Sequence, residues 1–170
     1  RGEVGLRDKS ILLTLLDTGL RAGEATALNV GDLDLNDGAL MVRRSKSRKP
    51  RVVFVGKQAR RALTAYLRAR GNPQPDEPLF ATVEKRQRLT YAGLRDIVRR
   101  RARLANVPAP SLHSFRRAFA LTMLRNGADV VSLSRMMGHG SLPVLMRYLR
   151  QERQDLGRVH ERHSPVDNWL

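Results

Sequence analysis

The sequence predicts a mainly α (α+β) fold, a helical domain with a small antiparallel β-sheet. Apolar residues recur at helical spacing over most of the chain. One stretch, Ala39 to Val55, switches to short apolar runs about a polar tip. Glycine or proline closes nearly every periodic segment. A chain of 170 residues can bury one sizeable core and needs no second one.

The elements follow in order. Leu12, Leu13, Leu15, Leu16 and Leu20 recur at helical spacing after Asp8, and Gly19 stands where a C-terminal glycine is expected. A second short helix covers Glu24 to Leu28. Leu40, Met41 and Val42, then Val52, Val53, Phe54 and Val55, flank Ser45-Lys46-Ser47-Arg48-Lys49-Pro50, which reads as a β-hairpin with a cationic tip. Helical spacing returns at Ala59, Leu63, Tyr66 and Leu67 and stops at Gly71, before a loop over Asn72 to Pro78. A helix after Thr90 is expected to bury Leu94, Ile97, Val98 and Leu104, with Arg99, Arg100, Arg101 and Arg103 around its exposed side and Pro108 and Pro110 beyond its end. Further helices are expected from about Ser111 to Asn126, from Asp129 to Met137, and from Ser141 into the region of Arg153.

Lys and Arg number 32 against 16 Asp and Glu, a net charge of +16. Such a field attracts polyanions, with nucleic acid first among them. Hydrophobic residues make up 41% of the chain, so it is no disordered basic tail, and no apolar run approaches the roughly 18 residues of a membrane span. The absence of cysteine removes disulfides, thiolate metal sites and cysteine nucleophiles. Arg1 in place of an initiator methionine, without a charged and apolar leader, leads us to expect a fragment or a processed chain.

Single motifs decide little. His113 and Arg116 are three apart on an expected helix and could hold a phosphate between them, but such a pair is commonly a solvated face. Arg21 could serve chemistry or simply pair with Glu24. Taken alone, Tyr148 reads first as a core or helix-surface tyrosine and Lys46 by default as a solvated hairpin lysine, while His139 could be a turn residue between Gly138 and Gly140. Asp32-Leu33-Asp34-Leu35-Asn36 begins like a calcium loop, yet Asp37 and Arg43 stand where glycine and glutamate are required. His160 and His163 lack a third metal ligand nearby, and no phosphate-cradling glycine loop with its lysine is present.

The order of these weak signals is more specific than any of them. Thr18-Gly19-Leu20-Arg21-Ala22-Gly23-Glu24-Ala25-Thr26-Ala27-Leu28 resembles the first arginine box of the tyrosine recombinase, or phage integrase, family. Ser45-Lys46-Ser47-Arg48-Lys49-Pro50-Arg51-Val52-Val53 is similar to its catalytic-lysine hairpin, and His113-Ser114-Phe115-Arg116 to its H-x-x-R box. Met137-Gly138-His139-Gly140-Ser141 then leads to Tyr148 with the family's nine-residue step. The resemblance covers about residues 8 to 150. Departures are Arg117 where many members have histidine, Phe54 in place of a common proline, and Pro143 in the approach to Tyr148.

The resemblance implies that residues 1–170 form a tyrosine recombinase-like catalytic domain, with the family's separate N-terminal DNA-clamping domain outside this chain. It implies a site-specific DNA recombinase or integrase, of a phage or other mobile element, that cuts and rejoins strands through a 3′-phosphotyrosyl intermediate. Tyr148 would be the nucleophile, Arg21 and Arg116 the phosphate clamp, His113 the proton acceptor, Lys46 (or Lys49, one register away) the general acid, and His139 a phosphate ligand. Glu24 would orient the first box. No cofactor is implied, since the phosphotyrosyl link keeps the bond energy. The implied partner is double-stranded DNA, bound as a homotetramer on paired sites and as a monomer without DNA. The tail Gln151 to Leu170 would dock on a neighbouring protomer or on its own domain, and no membrane association is implied. In a prokaryotic host the protein would be cytoplasmic and nucleoid-associated. Two other readings stand beside this one: a type IB topoisomerase, which reseals the same strand, and a non-catalytic basic DNA-binding regulator.

Overall fold

The computed structural model describes residues 2–43 and 50–138, with Ser164 and Val166. Among these, α1 (Glu3–Thr18) and α2 (Ala22–Ala27) lead into a hairpin of β1 (Ala39–Val42) and β2 (Arg51–Phe54). Then follow α3 (Lys57–Ala69), α4 (Tyr91–Leu104), α5 (Leu112–Arg125) and α6 (Val130–Met137). The mainly helical fold with a small antiparallel sheet is the one the sequence predicts. The hairpin tip at 44–49 and the expected helix from Ser141 lie outside the described residues, as do Lys46, Lys49, His139, Tyr148, His160 and His163. Nearly all of the tail lies outside them too.

Local chemistry sets the helix ends. Thr90 Oγ1 accepts the Gly93 N–H at 3.1 Å, Ser111 Oγ accepts the Ser114 N–H at 3.1 Å, and the Asp129 carboxylate accepts the Ser132 N–H at 2.8 Å. Each such cap contributes about 0.5–2 kcal/mol. Gly19 ends α1 in the left-handed region, at φ 60°, with its N–H on the Leu15 carbonyl.

Two expectations need correction. The first helix starts at Glu3 rather than after Asp8, so Asp8 lies inside α1, fully buried. Its Oδ1 accepts two bonds from Arg7, and its Oδ2 accepts one each from Arg100 and Arg101 of α4. That pairing overcomes the poor fit of aspartate to a helix interior. Arg100 and Arg101 keep the exposed side expected of them, at 48% and 31%, and are in addition tied to α1. Leu104 is 72% exposed, because the last buried residue of α4 is Ala102 and the core does not extend beneath the final turn.

The hairpin register pairs Ala39 with Phe54, Leu40 with Val53, Met41 with Val52 and Val42 with Arg51. Leu40, Val42 and Val53 are buried, whereas Val52 and Phe54 on the alternate face are exposed. The main core joins Ile11 and Leu15 of α1 to these strand residues, to Leu63 and Tyr66 of α3, to Leu94, Ile97 and Val98 of α4, and to Phe115 of α5. A second cluster holds Phe119, Ala120, Leu133 and Met137, so α5 spans the two and Arg116 lies between Phe115 of one and Phe119 of the other. No helix among the described residues is long and apolar enough to cross a membrane.

Candidate active site

The short connection between α1 and α2 builds the site. After Gly19, the buried Leu20 anchors the turn in the core, and Arg21 takes extended backbone as the residue before α2. Glu24, three residues on, reaches back to accept the Arg21 N–H at 2.9 Å and the Arg21 Nη1 at 3.1 Å. The pairing of Arg21 with Glu24 that the sequence offered as a structural role is thus present. It leaves the Arg21 side chain 35% exposed while Glu24 is 4% exposed.

Glu24 holds a second arginine. Arg51, the first residue of β2, donates Nη1 to Oε1 at 3.0 Å and Nη2 to Oε2 at 2.8 Å, a two-point fork, and its Nε donates to the Met136 carbonyl at 2.8 Å. Burial alone would raise the Glu24 pKa. The Arg51 hydrogen bonds, the Arg21 N–H and the charges of both arginines outweigh burial and hold it below the ordinary 4.5.

Arg116 completes the group. It is 5% exposed, and it donates Nη1 to the Gly19 carbonyl and Nη2 to the Met137 carbonyl, both at 2.6 Å. A solvated helix face therefore does not describe it. Burial, then the like charge of Arg21, pull its pKa down to about 10; Glu24 opposes this and Arg51 adds to it. Three guanidiniums around one carboxylate leave the group two positive charges in excess. A buried cation surrounded by cations is stabilised by an anion arriving beside it, and a phosphate diester, with one negative charge shared by two non-bridging oxygens, has the right chemistry. His113, one turn before Arg116 on α5, is exposed at the helix start.

A profile of the phage integrase family matches residues 2–155. The chain belongs to that family. Tyrosine recombinase XerC of Pelobacter propionicus is 35% identical over 162 residues, covering 95% of this chain and 53% of its own length. Tyrosine recombinase XerD of Ralstonia nicotianae is 31% identical over 167 residues, covering 95% and 54%. The chain spans about half the length of the curated relatives it matches. Among solved structures, the XerA recombinase superposes with a TM-score of 0.78 at 27% identity, over 94% of this chain and 57% of that one. The XerH site-specific recombinase, bound to a palindromic difH substrate after cleavage, shares the fold with a TM-score of 0.75 at 24% identity, over 95% and 47%.

Of the residues named from the sequence, this phage integrase family chain brings Arg21 and Arg116 into one cluster, while His113 is exposed in the first turn of α5; Lys46, His139 and Tyr148 lie outside the described residues. Arg51 is what sequence reasoning missed. It stood inside the lysine-hairpin motif with no role, and a lone cation opening a strand does not announce a partner 27 residues away. Among the described residues no group of three or more His, Cys, Asp or Glu could hold a metal ion. The calcium-like segment is internally engaged: Asp32 pairs with Arg43 and accepts the Asn29 N–H, and Asp34 accepts the Asn36 N–H.

Proposed function

We propose that this phage integrase family chain carries the catalytic machinery of a tyrosine-type site-specific DNA recombinase, which cleaves and rejoins duplex DNA through a 3′-phosphotyrosyl intermediate. The observation that carries the reading is the part-buried cationic cluster in which Glu24 holds Arg21 and two backbone carbonyls hold Arg116. The names of the relatives, XerC and XerD, and the net charge of +16 support it as well.

In the proposed reaction the Tyr148 oxygen attacks the scissile phosphorus while His113 takes its proton. The bond from phosphorus to the 5′-oxygen breaks, and Lys46 protonates the departing oxygen. Attack builds negative charge on the non-bridging oxygens, which Arg21 and Arg116 offset, with His139 donating a further hydrogen bond. Guanidinium suits this task because its donors are fixed in a plane, and here both forks are held before substrate arrives. A second hydroxyl then attacks the phosphotyrosyl bond and releases Tyr148, so no nucleotide is consumed. The working form is a homotetramer on paired duplex sites, acting in the cytoplasm of a prokaryotic host.

The test is incubation with a nicked suicide duplex followed by denaturing electrophoresis. A covalent protein-DNA adduct, and joined product from two distinct duplexes, is the expected result. Adduct with relaxation but no joining would point to topoisomerase chemistry, and binding without adduct to a non-catalytic regulator.

A further inference from the structure

The cluster closes on itself. From Gly19 the chain runs through Leu20 to Arg21, whose N–H and Nη1 are held by Glu24. Glu24 is gripped by Arg51, and Arg51 Nε holds the Met136 carbonyl. The next carbonyl, that of Met137, accepts Arg116 Nη2, and Arg116 Nη1 returns to the Gly19 carbonyl. Arg51 is the member that joins the Arg21 side of this ring to the last turn of α6. A Cβ placed on Gly138 would lie 3.4 Å from Arg51 Cζ, so the backbone after α6 runs directly against that guanidinium.

Charge neutralisation alone does not call for this arrangement. Arg21 already gives Glu24 a cation and an N–H, yet Arg51 supplies both carboxylate oxygens with a further donor and is itself 10% exposed. Desolvating a second guanidinium is costly unless its donors are met, and the bonds to Glu24 and Met136 engage three of its five, one on each nitrogen. What the fork adds is angle. With both oxygens held from the β2 side, the carboxylate plane cannot rotate, and the direction in which it holds Arg21 is set.

We propose, resting on the recombinase reading above, that Arg51 is a positioning residue for strand cleavage: through Glu24 and the α6 turn it sets where Arg21 stands relative to Arg116. It does not touch the phosphate. Its contribution is to keep two guanidiniums registered on one phosphate, and misplacement of about 1 Å at such a site can slow a reaction about a hundredfold.

The test uses the chain with two suicide duplexes, one natural and one carrying a methylphosphonate at the scissile position, where one charged non-bridging oxygen is replaced. Single-turnover adduct formation by Arg51→Gln should fall about a hundredfold on the natural duplex. On the neutralised duplex the clamp is needed less, so the gap between parent and Arg51→Gln should narrow at least about tenfold, as should that of Arg21→Lys. A merely structural role would lower both rates alike. Arg51→Lys keeps a cation beside Glu24 but not the fork, and it carries the same comparison if Arg51→Gln fails to fold. An Arg51 defect of equal size on both duplexes, while the Arg21 defect narrows, would overturn the inference, as would parental cleavage by Arg51→Gln. Absence of adduct from the parent chain on the natural duplex would instead remove the recombinase reading, and this inference with it.

Discussion

Arg116 and Gly19 stand 97 residues apart, and a 2.6 Å hydrogen bond from Nη1 to the glycine carbonyl binds α5 to the end of α1. The same guanidinium reaches the Met137 carbonyl with Nη2. Lysine has one nitrogen and cannot span both carbonyls in the plane that guanidinium provides. Arg116→Lys and Arg21→Lys should each slow single-turnover cleavage by at least about a hundredfold, the scale of a lost oxyanion donor. DNA affinity should fall less, because the charge survives. Rates near that of the parent for both variants would remove the clamp assignment.

Tyr148→Phe deletes only the attacking oxygen of the proposed reaction, so folding and DNA binding should persist while every covalent adduct disappears. Tyr91→Phe is the control, since that ring is 57% exposed and belongs to the start of α4. Denaturing electrophoresis reads both variants, and any adduct from Tyr148→Phe would sink the assignment.

Gly19 faces two demands that a residue with a Cβ cannot meet without strain. Its φ is 60°, and a Cβ there would lie 2.3 Å from Phe119 Cδ1. Left-handed strain costs about 1 kcal/mol and overpacking about 1–3 kcal/mol more. Gly19→Ala should therefore lower Tm by at least about 4 °C, using about 2–4 °C per kcal/mol for a domain of this size. An unchanged thermal melt would show that the Phe119 ring moves aside freely.

Glu24 should leave a mark on acid stability. Its pKa in the folded chain lies below the ordinary 4.5, so the ionised form favours folding. That contribution is complete above about pH 4.5 and is lost as pH falls through the folded value. Glu24→Gln cannot titrate. Its urea-unfolding stability should be lower than the parent's at neutral pH, with the gap closing as pH falls below 4.5. A gap that is constant with pH would mean that Glu24 is not held ionised by Arg51 and Arg21.

Much of the architecture follows from neighbours within one helical turn, and those parts are legible in the sequence. Thr90, Ser111 and Asp129 cap helices because their side-chain oxygens meet an N–H three residues on. Gly19 ends α1 because it adopts the left-handed conformation without a Cβ penalty. Leu40, Val42 and Val53 mark the buried face of the hairpin because strand side chains alternate. Ordered motifs likewise named Arg21, His113 and Arg116 without any contact being known.

Tertiary structure alone decided where the long charged side chains go. Asp8 reads as a helix start until Arg100 and Arg101, more than ninety residues away, arrive on its carboxylate and make it a buried hub inside α1. Leu104 has the period of a core residue but nothing packs beneath it. Arg51 is one cation among 32 until β2 places it against Glu24 and Met136. The physical reason is range. Caps and periodicity are set by atoms a few residues apart, whereas a guanidinium reaches far from its backbone and takes its partner from whichever element packing brings near, which local sequence does not encode.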